Sequence, residues 1–145
     1  MFEFLTPSYD ACCDLADAGF PQTTAFAWVG RGPLSAPVLG PRRGLSSLRR
    51  DAVAAPTLEE LLAHLPTSVA CTVPHPIYRT VEREHGLRME TGATTVFGYH
   101  LVGSFDVRHR AEHSRAVEAA ARLFLDLHAA GKLAAPAPAP VRIAA

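Results

Sequence analysis

Five consecutive residues carry the sharpest chemical pattern in the chain. His109-Arg110-Ala111-Glu112-His113 reads H-x-x-E-H, in which two histidines four apart on a helix bind zinc and the glutamate between them activates a water. A hydrolytic zinc site needs a third protein ligand, usually a carboxylate well downstream. Here the last glutamate is Glu118 and the last aspartate Asp126. A looser set, His100, His109, His113 and His128 with Cys13 or Cys71, has ligand types that zinc accepts but no repeated spacing. The expectation is a chain without a cofactor, with zinc on His109, Glu112 and His113 as the alternative.

Other chemistries lack a part. A cysteine nucleophile needs a nearby histidine and a lowered pKa. Cys13, in the first helical stretch, and Cys71, ahead of Pro74-His75, are the candidates, and neither has a catalytic signature around it. A nucleophile elbow would read G-x-S-x-G, and Gly103-Ser104-Phe105 lacks its second glycine. Gly30-Arg31-Gly32-Pro33 fails as a dinucleotide loop, because proline and leucine follow where a helix should offer free N–H groups. Arg42, Arg43, Arg49 and Arg50 form the single basic cluster. Four guanidinium groups there can meet phosphates or an acidic partner, but no aromatic residue stands among them to stack a base.

Composition agrees with an ordinary domain. The 145 residues carry 14 basic and 14 acidic side chains and are 48% hydrophobic, so there is no strong field to recruit a polyanion and enough apolar surface for a core. Thirteen of the basic residues are arginine, which fits a GC-rich coding bias alongside abundant alanine and proline. No basic, apolar leader opens the sequence and no window reaches eighteen uninterrupted apolar residues. The expected setting is the cytoplasm, with three reduced cysteines and no membrane contact.

The elements that would position these residues follow from periodicity. Thr6-Pro7 opens a helix over 7–18 that Gly19 stops. A strand over 24–29 ends at Gly30-Arg31-Gly32-Pro33, and a return over 34–39 contains Pro37, which belongs on an edge. Residues 40–56 read as an exposed loop. Thr57 and Glu60 form a capping box for a helix carrying Leu58, Leu61, Leu62 and Leu65, stopped by Pro66. Strands are predicted over 68–73, 77–81 and 94–102, with Glu84-His85-Gly86 and Thr91-Gly92 as turns and Gly98 as a bulge. The last helix, 114–130, has an apolar arc through Val117, Ala120, Phe124 and Leu127, a polar face with Glu118, Arg122 and Asp126, and a stop at Gly131. One domain over 1–133 and an extended Ala/Pro tail over 134–145 complete the reading.

Three stretches, Leu15-Ala16-Asp17-Ala18-Gly19-Phe20-Pro21-Gln22 before a Trp-containing strand, Ala55 through Leu62 with Leu65-Pro66, and Ala120 through His128, resemble a loose group of small bacterial and phage-borne proteins with no assigned activity. The resemblance covers about a third of the chain and implies helices on a sheet. The expected fold is α+β: one small antiparallel or mixed sheet, built around the strands at 24–29 and 94–102, with two or three helices packed on it. The expected function is that of a small non-enzymatic binding or accessory protein acting on a protein partner or as a homo-oligomer. A metal-dependent hydrolase and an arginine-loop nucleic-acid accessory protein are the alternatives.

Overall fold

Local stop signals set most of the helix ends. We describe a computed structural model covering residues 5–29, 37–41 and 52–133. Helix α1 (Tyr9–Asp17) starts two residues after its expected cap: the Ser8 hydroxyl, not Thr6, accepts from the Ala11 N–H. Gly19, at φ +88°, then closes a Schellman turn, with Gly19 N–H on Ala16 O and Phe20 N–H on Leu15 O. Helix α2 (Leu58–His64) opens on the expected capping box of Thr57 and Glu60. Helix α3 (Ala116–Ala129) ends in a second Schellman turn at Gly131, φ +69°, with Gly131 N–H on His128 O and Lys132 N–H on Leu127 O.

The strands form two antiparallel sheets, not one, so the α+β class holds while the expected pairing does not. In the first, β1 (Phe26–Val29) lies between β2 (Val38–Pro41) and β3 (Val53–Ala55). Strand β3 falls inside the stretch read as loop, because three small residues, Val53-Ala54-Ala55, give almost no periodic signal. The second sheet runs β4 (Ser68–Pro74), β5 (Thr80–Thr91), β6 (Thr95–His100), β7 (Val107–His113). The strand at 24–29 and the strand at 94–102 therefore belong to different sheets.

In the second sheet one expectation is corrected and one pattern loses the geometry it presupposes. Glu84-His85-Gly86 is not a turn but the middle of the twelve-residue β5, which pairs with β4 up to Gly86 and with β6 from Gly86 onward. The H-x-x-E-H run is not helical: His109, Glu112 and His113 lie on β7, paired with β6. Gly98 does sit opposite a bulge, where the β6–β7 register shifts between Phe97 and Tyr99. His109, in the bulge, takes φ +53°. A Cβ on Gly98 would stand 3.0 Å from the Val107 side chain, so a larger residue there has to displace that side chain.

Residues opposite one another across an antiparallel pair share a face. Val69, Cys71, His85, Tyr99, Phe97 and Ala111 accordingly form the inner face, all buried, and α3 packs over β6 and β7 while touching α1 and α2. The sheet curls into a half-barrel, far enough for Arg108 at the start of β7 to donate to the Thr72 carbonyl of β4, 3.1 Å away. Helix α3 is buried on more than its apolar arc. Glu118, expected on the exposed face in an i,i+4 pair with Arg122, is buried instead and accepts from the Ser8 N–H (2.9 Å) and Ser8 hydroxyl (3.1 Å). Asp126, the other end of that expected ladder, bonds His109 Nδ1 at 2.9 Å. No helix among the described residues is long and apolar enough to cross a membrane.

Candidate ligand-binding cleft

All three helices stop at the same place. The Schellman turn of α1, the Leu65-Pro66 stop of α2 and the Schellman turn of α3 surround an open cleft of about 630 Å³. Glycine is what allows two of these stops: each left-handed residue reverses the chain without a Cβ penalty. The reversal leaves space between helix ends that continued helices would fill. Phe20, following Gly19, is buried beneath the cleft and meets the His64 and Phe124 rings edge to face, with centroids 5.0 and 5.1 Å apart.

The walls are mainly apolar, through Pro21, Leu65, Pro66, Phe124 and Leu133, and the polar side chains are the imidazoles of His64 and His128. The volume lies in the range of small-molecule pockets, and two convergent polar groups in an apolar surround can fix a ligand's orientation. An imidazole serves as donor and acceptor at once in its neutral form, so each can meet a hydroxyl, a carbonyl or an amine. A smaller cavity of about 480 Å³ opens beside Leu5, Leu58, Glu59, Arg115 and Val117.

Comparison with family models, with curated proteins and with solved structures finds no match. The cleft is therefore read from its own chemistry.

The residues singled out from the sequence are placed apart from it, with one exception. On β7 a four-residue step spans about 13 Å, against about 6 Å along a helix, which removes the helical geometry the H-x-x-E-H pattern presupposes. Each member also has a local partner. His109 bonds Asp126, the Glu112 carboxylate accepts from the Thr94 hydroxyl (2.6 Å) and from Arg110 (2.7 Å), and His113 Nδ1 accepts from the Arg115 N–H. The Thr94 hydroxyl, then Arg110, hold the Glu112 carboxyl below the ordinary glutamate range. Of the looser set, His128 belongs to the cleft; His100 faces out from β6 and Cys71 points into the core. Among the described residues no three His, Cys, Asp or Glu side chains converge as a metal site. Arg42, Arg43, Arg49 and Arg50 lie outside the described residues, as does the tail at 134–145.

The Cys12 thiol is not set up as a nucleophile. Burial pushes the Cys12 thiol up to about 12, so it stays protonated at neutral pH and donates to the Pro7 carbonyl. Cys71 is buried, and all three cysteines are free thiols.

Sequence reading missed a polar network on the inner face of the half-barrel. His85, fully buried, bonds Asp106 Oδ2 at 2.8 Å, and Arg108 Nε meets the same carboxylate at 3.0 Å. Its members are 21 and 23 residues apart, so only the pairing of β5, β6 and β7 brings them together. The His85 hydrogen bond, reinforced by Arg108, lowers the Asp106 pKa. A depressed carboxyl contributes stability that is fully present above the unfolded value, about pH 4, and is lost as pH falls through the folded value. Asp106→Asn should therefore lower Tm at pH 6 and flatten the fall of Tm between pH 5 and 3, measured by circular dichroism; parallel profiles for the two proteins would contradict the assignment.

Proposed function

We propose that this chain is a non-enzymatic binding protein whose cleft takes a small, largely apolar molecule. The observation that carries the reading is the cleft itself: about 630 Å³ at the junction of three helix ends, with apolar walls and two imidazoles. Among the described residues its lining contains no serine, cysteine or carboxylate, so the histidines there lack the nucleophile or acid partner that acid–base catalysis would pair with them. The positions of His109, Glu112 and His113, engaged respectively with Asp126 of α3, with Thr94 and Arg110, and with the Arg115 N–H, support a protein that works without zinc at that run. Three free thiols fit a reducing, cytoplasmic setting.

Titration with 1-anilinonaphthalene-8-sulfonate, an apolar fluorescent anion, tests the reading on the folded protein. The parent should show saturable enhancement with one site per chain. Ala63→Trp, which adds an indole at an exposed position on the cleft wall, should weaken the probe at least tenfold while leaving Tm within about 2 °C. Equal binding by both proteins, or none by the parent, would overturn it.

A further inference from the structure

Hydrogen-bond parity shows that half of β5 presents an edge that no other strand among the described residues pairs with. The Leu87 N–H donates to Thr67 O of the chain entering β4, and backbone groups alternate sides along a strand. Val81, Arg83 and His85 therefore point their N–H and C=O groups at β4, while Thr80, Glu82 and Glu84 point theirs the other way. On that side β6 begins to pair only at Gly86, opposite His100, and the chain then turns away toward β7. Thr80, Glu82, Arg83 and Glu84 are exposed, and no described strand pairs with this edge.

The opposite edge of the same sheet is treated differently. There the outward carbonyls of Ala70 and Thr72 accept from Lys132 Nζ and Arg108 Nη2 at 3.0 and 3.1 Å, which blunts β4 as a pairing template. The β5 edge is also bracketed by exposed apolar side chains. Ile77 and Tyr78, 82% and 65% exposed, stand at its tip end; Val102 and Phe105, 93% and 103% exposed, stand in the loop where β6 leaves it.

We infer that the Thr80–Glu84 edge binds an extended, basic peptide segment of another protein as an added strand. Main-chain groups of Thr80, Glu82 and Glu84 would supply the ladder, and alternate side chains the specificity. Glu82 and Glu84 lie on one face of β5, so a partner with lysine or arginine at every second position sets opposite charges across the new pair. A second copy of this chain is opposed in four registers of this edge. Pairing the strand antiparallel to itself about Val81 sets Arg79 against Arg83, about Glu82 sets that residue against itself, about Arg83 sets Glu82 against Glu84, and about Glu84 again opposes like charges.

The inference is independent of the cleft, and amide hydrogen exchange on the full chain tests it. The probe is a blocked seven-residue peptide of alternating lysine and valine. At saturation, protection of the Thr80, Glu82 and Glu84 amides should rise at least tenfold, and Ala63→Trp should respond as the parent does. Methylating alternate backbone nitrogens of the peptide should abolish the effect, and Glu82→Lys with Glu84→Lys should shift preference to a blocked seven-residue peptide of alternating glutamate and valine. Protection confined to other amides, equal binding of the methylated peptide, or concentration-dependent dimerisation through these amides would overturn it.

Discussion

Phe124→Ala is expected to destabilise the domain by about 3–5 kcal/mol, whereas Arg122→Ala, two positions earlier on the same helix, stays within about 0.5 kcal/mol. Phe124 is buried on α3 against Phe20, and its loss removes both the transferred ring area and the edge-to-face contact at the wall of the cleft. Arg122 is exposed, and its expected partner Glu118 is turned into the protein. Urea denaturation of the two variants measures the difference. Similar losses would mean that α3 is rotated about its axis relative to this description.

Glu118→Ala should cost about 3 kcal/mol. The carboxylate is buried and accepts two hydrogen bonds from Ser8, the residue that caps α1, while Arg115 stands 3.9 Å from it and donates to the Thr6 carbonyl. Truncation leaves the Ser8 N–H without its acceptor, and the cost of a buried group left unpaired exceeds the net worth of the bonds themselves. Glu118→Gln keeps an acceptor for the Ser8 N–H and should lose only about 1 kcal/mol. A loss below about 0.5 kcal/mol for the alanine variant, read from the same urea curves, would contradict the view that this side chain ties α1 to α3.

Elements whose signals are local were legible in the sequence. The capping box of Thr57 and Glu60, the stops at Gly19, Pro66 and Gly131 and the bulge at Gly98 each depend on residues within a few positions, and each is found. What was not legible depends on partners distant in sequence. Glu118 looks like an exposed member of an i,i+4 ladder until α1 packs against it. Glu84-His85-Gly86 has turn composition, yet two neighbouring strands hold it extended. His109 and His113 have helical spacing, and pairing with β6 makes them strand residues. The cleft was partly written in the stop signals, since three helix terminators at Gly19, Pro66 and Gly131 line it. Nothing local says that those three ends meet.

The central claim, that the cleft between the helix ends is the binding site, is tested most directly by the imidazole proton resonances during titration with 1-anilinonaphthalene-8-sulfonate. His64 and His128 line the cleft, whereas His100 lies on the outer face of β6 and His75 in the β4–β5 turn. The account predicts saturable shifts for His64 and His128 with a common dissociation constant, and unchanged positions for His75 and His100. Shifts at His75 or His100 with His64 and His128 unmoved would contradict it.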